Sequence, residues 1–297
     1  MGLEKKLSGI VVPVITPFNN DSIDLDGVAN LTYYLKNSGV HGLFYLGETG
    51  EFRFLSFTDK KLVIDYAARQ AFEKKVIVGT TGRSFDETVE LSEYAYKKGI
   101  SSVVLATELF PDNTAAKFVP DFVNAMKKRG VDNPQFVIYD NPEITRQSMV
   151  PRNDFQNLVM GKYGKYVEGY KDSSSDNWHL KVLTEIRDSS APWLSVMLGS
   201  ENALIQNPWT KFDGLVSGTA NYDPHLLVRI FEKIKRGVAY EELRPDFEEL
   251  NAHLNSYTKG TVPEIKRRVH NIKIALREDH TINMISSHEM APLKRAA

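Results

Sequence analysis

Short apolar runs, rich in β-branched and aliphatic residues, return along this chain roughly every 25 to 35 residues, and that rhythm restricts its fold more than any other feature. The runs are Ile10 to Ile15, Gly42 to Leu46, Val76 to Thr80, Ser102 to Ala106, Gln135 to Tyr139, Val167 to Lys171, Leu194 to Leu198 and Gly214 to Ser217. Amphipathic segments with helix-start residues lie between them: Asp24 before Leu25 to Lys36, Thr58 before Asp59 to Phe72, and Ser84 before Phe85 to Lys97. Runs that stay apolar, without alternation of buried and wet positions, suit a parallel sheet covered by helices. Eight such units close most simply into an α/β (β/α)8 TIM barrel. The other candidate is a doubly wound sheet, but no Gly-x-Gly-x-x-Gly follows the first run, where a dinucleotide fold would carry its phosphate loop.

From about Asp223 onward only helical patterns remain: Pro224 to Arg236, Tyr240 to Ser256, and Val262 to Leu276 with a turn at Lys259-Gly260. The expected organisation is therefore a barrel over residues 1–222 with a C-terminal helical extension over 223–297. Lysine and arginine total 37 against 38 acidic residues, without long runs of one sign, which gives no footprint for nucleic acid or an anionic membrane. Cysteine is absent, so disulfides, thiolate nucleophiles and thiolate metal sites are excluded. The first residues lack the apolar core of a signal peptide, and no stretch approaches the roughly 18 apolar residues of a membrane span. A cytoplasmic location is expected.

In (β/α)8 barrels the active site is built at the carboxyl ends of the strands, so the polar residues that close each run carry the chemistry. The sixth run ends in Lys171. A lysine there must bury its four-carbon stem, and loss of hydration lowers an amine's pKa from about 10.4 and frees it as a nucleophile. The fifth run ends in Tyr139-Asp140-Asn141-Pro142, which brings a phenol to the neighbouring strand end. Amine and phenol together suit carbonyl chemistry, one as Schiff-base nucleophile and the other as proton carrier. The second run ends in Gly47-Glu48-Thr49-Gly50-Glu51, a turn whose glycines serve either positive φ or the approach of an anion to backbone N–H groups. Gly79-Thr80-Thr81-Gly82 is a similar, weaker case. The eighth run ends in the small residues Ser217-Gly218-Thr219-Ala220-Asn221. Of the seven histidines, His41, His179, His225 and His288 lack paired metal-ligand spacing and are expected to be structural or exposed.

In their order along the chain, Val12 to Phe18, Gly47 to Glu51, Tyr139-x-x-Pro142, Gly169-Tyr170-Lys171-Asp172-Ser173-Ser174 and Gly214 to Gly218 resemble the superfamily of N-acetylneuraminate lyase, dihydrodipicolinate synthase and 2-keto-3-deoxygluconate aldolase. The resemblance implies a class I aldolase on a (β/α)8 barrel with a C-terminal helical bundle, a homotetramer, and no metal or organic cofactor. It implies that Lys171 forms a covalent imine with a 2-keto acid and that Tyr139 shuttles the proton of the aldehyde-derived oxygen. Gly47, Glu48 and Thr49 would hold the substrate carboxylate, chiefly through backbone N–H groups and the Thr49 hydroxyl. Pro13, Asn141, Ser173 and Gly218 are the further substrate-binding residues expected, with Asn221 beside them. The partners implied are a small keto acid and an aldehyde, with no nucleic acid and no membrane.

The departures from the family pattern select among its activities. Glu48 stands where the family usually has a hydroxyl residue, and a carboxylate aimed at a substrate carboxylate would repel it by several kcal/mol at an effective dielectric near ~20. Glu48 is therefore expected to turn aside, toward a sugar hydroxyl or a helix end. The synthases resemble one another in a Tyr-Tyr pair after the fourth strand and an arginine five residues after the catalytic tyrosine. This chain has Thr107-Glu108-Leu109-Phe110-Pro111 and Ile144, with Arg146 out of register. The expectation is an aldolase that cleaves 2-keto-3-deoxygluconate, or a close 2-keto-3-deoxy sugar acid, to pyruvate and glyceraldehyde. No arginine beside Pro111 is placed to take a phosphate, so the unphosphorylated sugar acid is expected. The alternatives within the superfamily are the synthase, a sialic acid lyase and a sugar-acid dehydratase. Outside catalysis the alternative is a keto-acid-binding barrel.

Overall fold

The computed structural model describes residues 7–71, 75–110, 114–142, 150–208 and 211–257, with 269, 271–274 and 276 near the C-terminus. Ten strands are formed among them: β1 (Gly9–Pro13), β2 (Phe18–Asn19), β3 (Ser22–Ile23), β4 (Gly42–Tyr45), β5 (Lys75–Gly79), β6 (Ser102–Ala106), β7 (Gln135–Asp140), β8 (Val167–Asp172), β9 (Ser195–Leu198) and β10 (Gly214–Val216). Eight form a closed barrel in the order β1-β10-β9-β8-β7-β6-β5-β4, with helices between successive strands. The fold is a (β/α)8 barrel. Every residue of β1, β6, β7 and β8 is buried, as continuous apolar runs require when both faces of a parallel sheet are covered.

The helices begin where the capping residues direct. Asp24 accepts a hydrogen bond from the Gly27 amide (2.9 Å) and starts the helix Leu25–Asn37. Ser84 accepts from the Glu87 amide (3.2 Å) and starts Phe85–Lys97. The second helix runs Phe57–Gln70, two residues ahead of the start expected from Thr58. Ser56 is the reason: its hydroxyl accepts from the Asp59 amide at 3.1 Å while the Asp59 carboxylate accepts from the Ser56 amide at 3.3 Å, a reciprocal capping box. Pairing of β2 with β3 is a feature the apolar rhythm did not announce. Its two-residue loop, Asn20 and Asp21, has both φ angles positive (47° and 62°), the conformation of a tight hairpin turn.

Two compact units divide the chain. One is built on Ile64–Val216 and holds β5 to β10; the other joins Gly9–Val63 to residues from Ser217 onward and holds β1 to β4. In the second unit the helices Pro224–Lys235 and Tyr240–Tyr257 follow β10, close to the ranges the sequence pattern marks. The expected last helix falls mostly outside the described residues; Val269, residues 271–274 and Leu276 are helical. No helix among the described residues is long and apolar enough to cross a membrane.

Candidate active site

β7 and β8 pair in parallel, and their register places Tyr139 opposite Lys171 and Asp140 opposite Asp172. Side chains alternate along a strand, so Tyr139 and Lys171 share one face while Asp140, Tyr170 and Asp172 share the other. The second face is the helix side, since Tyr170 meets the edge of Phe155 from helix Arg152–Met160 with centroids 4.9 Å apart. Tyr139 and Lys171 thus point toward the barrel interior, 4% and 7% exposed, and the Lys171 ammonium nitrogen lies over the Tyr139 ring, 3.6 Å from its centroid. Asn141, next on the chain, donates from Nδ2 to the Tyr139 hydroxyl oxygen at 2.9 Å. Register therefore brings three of the expected site residues together. Ser173 comes directly after the end of β8; its amide donates to the Asp140 carbonyl (2.9 Å), and its hydroxyl lies where a Cβ on Gly199 would stand, which explains the glycine there.

A polar network underlies this pair and was not read from the sequence. Asp140 is fully buried; its Oδ2 accepts from the Tyr170 hydroxyl at 2.6 Å and from the Val150 amide at 3.1 Å, and its Oδ1 accepts from Thr107 Oγ1 at 3.2 Å. Asp172 Oδ1 accepts from the Ser174 amide (2.8 Å), and Oδ2 lies 3.1 Å from His179 Nδ1. Asp176 caps helix Asn177–Ser190 by accepting from the Trp178 and His179 amides, and so sets His179 in the first turn, where its ring reaches back to β8. Burial raises the Asp140 carboxyl above its ordinary range, partly offset by hydrogen bonds from Tyr170 and Val150. Burial and then the Asp140 charge push the Tyr170 phenol well up. Burial opposes a charged His179, yet its bond to Asp172, the charges of Asp172 and Asp140 and a bond to the Val150 main chain prevail and raise its pKa. The sequence signal available was the polar residues beside the inward-facing ones: Asp140 after Tyr139, and Tyr170 and Asp172 around Lys171. In a strand covered on both faces such residues must find partners.

The remaining expected site residues lie in the second unit. Pro13 ends β1, and its carbonyl accepts from Asn221 Nδ2 (2.9 Å); the same nitrogen donates to the Gly218 carbonyl (3.0 Å), while Asn221 Oδ1 accepts from the Ile15 amide (3.1 Å). One buried amide side chain thus ties the end of β1 to the Gly218 turn. In the turn after β4 the left-handed residues are Leu46 and Glu51, both at φ 58°, and not Gly47 or Gly50. Those glycines are required by close approach instead: a Cβ on Gly47 would stand 2.8 Å from the Phe44 ring, and one on Gly50 would stand 2.9 Å from the Val14 carbonyl. Glu48 turns aside, onto a cation: its Oε1 accepts from Arg53 at 2.7 Å (Nε) and 2.5 Å (Nη2). Thr49 is half-buried in the same turn. Glu51 is buried against Lys273 as an ion pair.

Other candidates resolve as structure. Thr80 Oγ1 bonds Ser92 Oγ (2.8 Å) and Thr81 Oγ1 accepts from the Ala106 amide (2.9 Å), so both hydroxyls serve packing. His41 Nδ1 accepts from the Ile10 amide, and His225 stands edge-on to Tyr34. Pro111, Ile144, Arg146 and His288 lie outside the described residues. Among the described residues one group, Asp223, Glu249 and His253, gathers metal-ligand atoms within 4.8 Å of one another. Its carboxylates are engaged, Asp223 by the Leu226 amide and Glu249 by Arg229.

The model of the dihydrodipicolinate synthetase family matches residues 6–281. Two Escherichia coli K12 proteins are similar in sequence. YjhH, provisionally assigned as a 2-dehydro-3-deoxy-D-pentonate aldolase, is 28% identical over 78% of this chain and 76% of its own. YagE, provisionally assigned as a 2-dehydro-3-deoxy-D-gluconate aldolase, is 27% identical over 77% of this chain and 75% of its own. Among solved structures, dihydrodipicolinate synthase from Bacteroides thetaiotaomicron superposes with a TM-score of 0.82 at 26% identity, covering 98% of this chain and 93% of that one.

Proposed function

The chain belongs to the dihydrodipicolinate synthetase family, and from that membership we propose that it is a Schiff-base aldolase acting on 2-keto-3-deoxygluconate or a close 2-keto-3-deoxy sugar acid. The observation that carries the reading is the Lys171–Tyr139 pair, an amine held against a phenol at matching positions of neighbouring strands. The provisional assignments of YjhH and YagE, both to aldolases of 2-keto-3-deoxy sugar acids, support the substrate class.

In the proposed cycle the Lys171 amine adds to the C2 carbonyl and water leaves, giving a protonated imine. Tyr139 takes the proton of the C4 hydroxyl as the C3–C4 bond breaks, and the bonding pair moves through C3 to the imine nitrogen. An aldehyde departs, an enamine of pyruvate remains, protonation at C3 returns the imine, and water releases pyruvate. Asn141, by donating to the Tyr139 oxygen, supports the phenolate that accepts this proton, which is left when Tyr139 protonates the hydroxyl departing as water during imine formation. The family pattern assigns the substrate carboxylate to Gly47, Glu48 and Thr49, with Pro13, Ser173 and Gly218 as further contacts. Arg53 neutralises Glu48 there, which removes the repulsion its carboxylate would otherwise exert. No added metal or organic cofactor takes part in this cycle, and a homotetramer in the cytoplasm completes the reading.

Incubation with pyruvate and borohydride, followed by intact mass and peptide mapping, tests it. A reduced pyruvyl adduct on Lys171 is expected. Bound pyruvate without an adduct, or an adduct on another lysine, would overturn the proposal. Product analysis with the hexonate and the pentonate substrate then identifies the sugar acid: pyruvate plus aldehyde marks an aldolase, a dehydrated keto acid a dehydratase.

A further inference from the structure

Lys171 is held from behind. The residues on either side of it, Tyr170 and Asp172, turn to the helix side of β8, as does Asp140, the residue after Tyr139 on β7. The Tyr170–Asp140 bond (2.6 Å) therefore ties β7 to β8 one residue from each member of the Lys171–Tyr139 pair. His179 closes the other side. Its Nδ1 meets Asp172 at 3.1 Å, its ring stands edge-on to Tyr170 with centroids 5.8 Å apart, and it is 3% exposed. The Val150 main chain reaches the same cluster, donating its amide to Asp140. Among the described residues the titratable groups that face His179 are Asp172 and Tyr170 from β8 and Asp140 from β7, with Asp176 holding its main chain; Phe155, beyond Tyr170, is apolar. A cationic ring in the first turn of a helix stands against the helix dipole, so it is the two buried carboxylates that hold it. They in turn need it, since two acids on adjacent strand positions repel when both are ionised in a dry interior.

We propose that His179 is a positioning residue: as an imidazolium it binds Asp172, offsets the Asp140–Asp172 pair, and so holds the end of β8 where Lys171 lies over the Tyr139 ring. The inference rests on the reading of Lys171 as the nucleophile only in giving that geometry a purpose; the geometry has its own measurement.

An amine over a ring face places its ε-methylene protons in the ring current, so the signals of selectively 13C-labelled lysine report the Lys171–Tyr139 alignment without any substrate. In the wild-type protein the Lys171 ε-methylene signal is expected upfield, moving toward the ordinary lysine position over the same pH range in which the His179 Cε1 signal titrates. In His179→Gln it is expected near the ordinary position at every pH, with pyruvate trapping slowed about tenfold or more. Tyr170→Phe, which keeps the contact with Phe155 and loses the bond to Asp140, is expected to shift the signal in the same direction. An upfield signal identical in His179→Gln and wild type, or a wild-type signal indifferent to the His179 titration, would overturn the proposal. Should His179→Gln fail to fold, the wild-type pH series and Tyr170→Phe decide. A wild-type protein that forms no pyruvate adduct but shows the coupled titration would remove the Schiff-base reading and leave the positioning role standing; an adduct without the coupling does the reverse.

Discussion

The nitrogen of Lys171 lies over the face of the Tyr139 ring, 3.6 Å from its centroid. The phenol thereby serves twice. Its ring face packs against the Lys171 nitrogen and fixes its position, while its hydroxyl is oriented by Asn141. The ring and the hydroxyl can be removed separately, and their losses differ.

Tyr139→Phe keeps the ring and should retain pyruvate imine formation at close to the wild-type rate, while carbon–carbon cleavage slows by roughly 10² to 10⁴ because the proton carrier is gone. Tyr139→Leu removes both and should also slow imine trapping. Single-turnover trapping with labelled pyruvate, set beside steady-state cleavage, separates the two steps. Cleavage at the wild-type rate in Tyr139→Phe would remove the phenol from the mechanism.

Arg53 holds the Glu48 carboxylate at 2.5 Å. In Arg53→Met that charge loses its partner, in a turn to which the family pattern assigns a substrate carboxylate. KM for the keto acid should rise about five- to tenfold, the equivalent of roughly 1 kcal/mol of like-charge repulsion at a partly wet site. Glu48→Thr combined with Arg53→Met should restore it. An unchanged KM in Arg53→Met would show that Glu48 stands clear of the substrate.

Glu51 is 3% exposed, Lys273 is fully buried, and the two pair with each other across 222 positions of sequence. Lys273→Met leaves a buried carboxylate without its cation and should lower stability by about 3–5 kcal/mol. Lys273→Met with Glu51→Gln should recover most of that loss. Thermal unfolding of the three proteins checks the order, and equal melting points for the single and double variants would contradict it.

Stability should fall as pH rises from neutral to alkaline, and His179 fixes the sign. Its folded pKa is raised, so the native state holds the proton more tightly; the stabilisation is complete below the unfolded value of about 6.5 and is lost as pH climbs through the folded value. Asp140, also raised, contributes with the same sign at lower pH. Urea unfolding of the wild type at pH 6, 7.5 and 9 should show falling midpoints, and His179→Gln should flatten the series. A parallel fall in both proteins would place the effect elsewhere.

The strand rhythm, the capping residues Asp24 and Ser84, and the polar ends of the fifth and sixth runs are local properties. Each depends on spacings of a few residues, and periodicity together with hydrogen-bond donors left open at helix starts specifies them without knowledge of the rest of the chain. That is why the (β/α)8 barrel and the Lys171–Tyr139 pair were legible in the sequence, and why seven of the eight runs coincide with strands to within one residue at either end. The first run is legible too, but its strand stops at Pro13, before Val14 and Ile15. What waited for the tertiary structure depends on register and distance. A register shift between Phe136 and Val137 decides that Asp140 meets Tyr170 and faces Asp172. Gly47 and Gly50 are glycines because Phe44 and the Val14 carbonyl crowd them, whereas their turn takes its positive φ at Leu46 and Glu51. Asn221 reaches Pro13 across 208 positions, and Lys273 reaches Glu51 across 222. A buried polar group is satisfied by whichever partner the closed backbone brings within about 3 Å, and no local pattern in the chain encodes which partner that is.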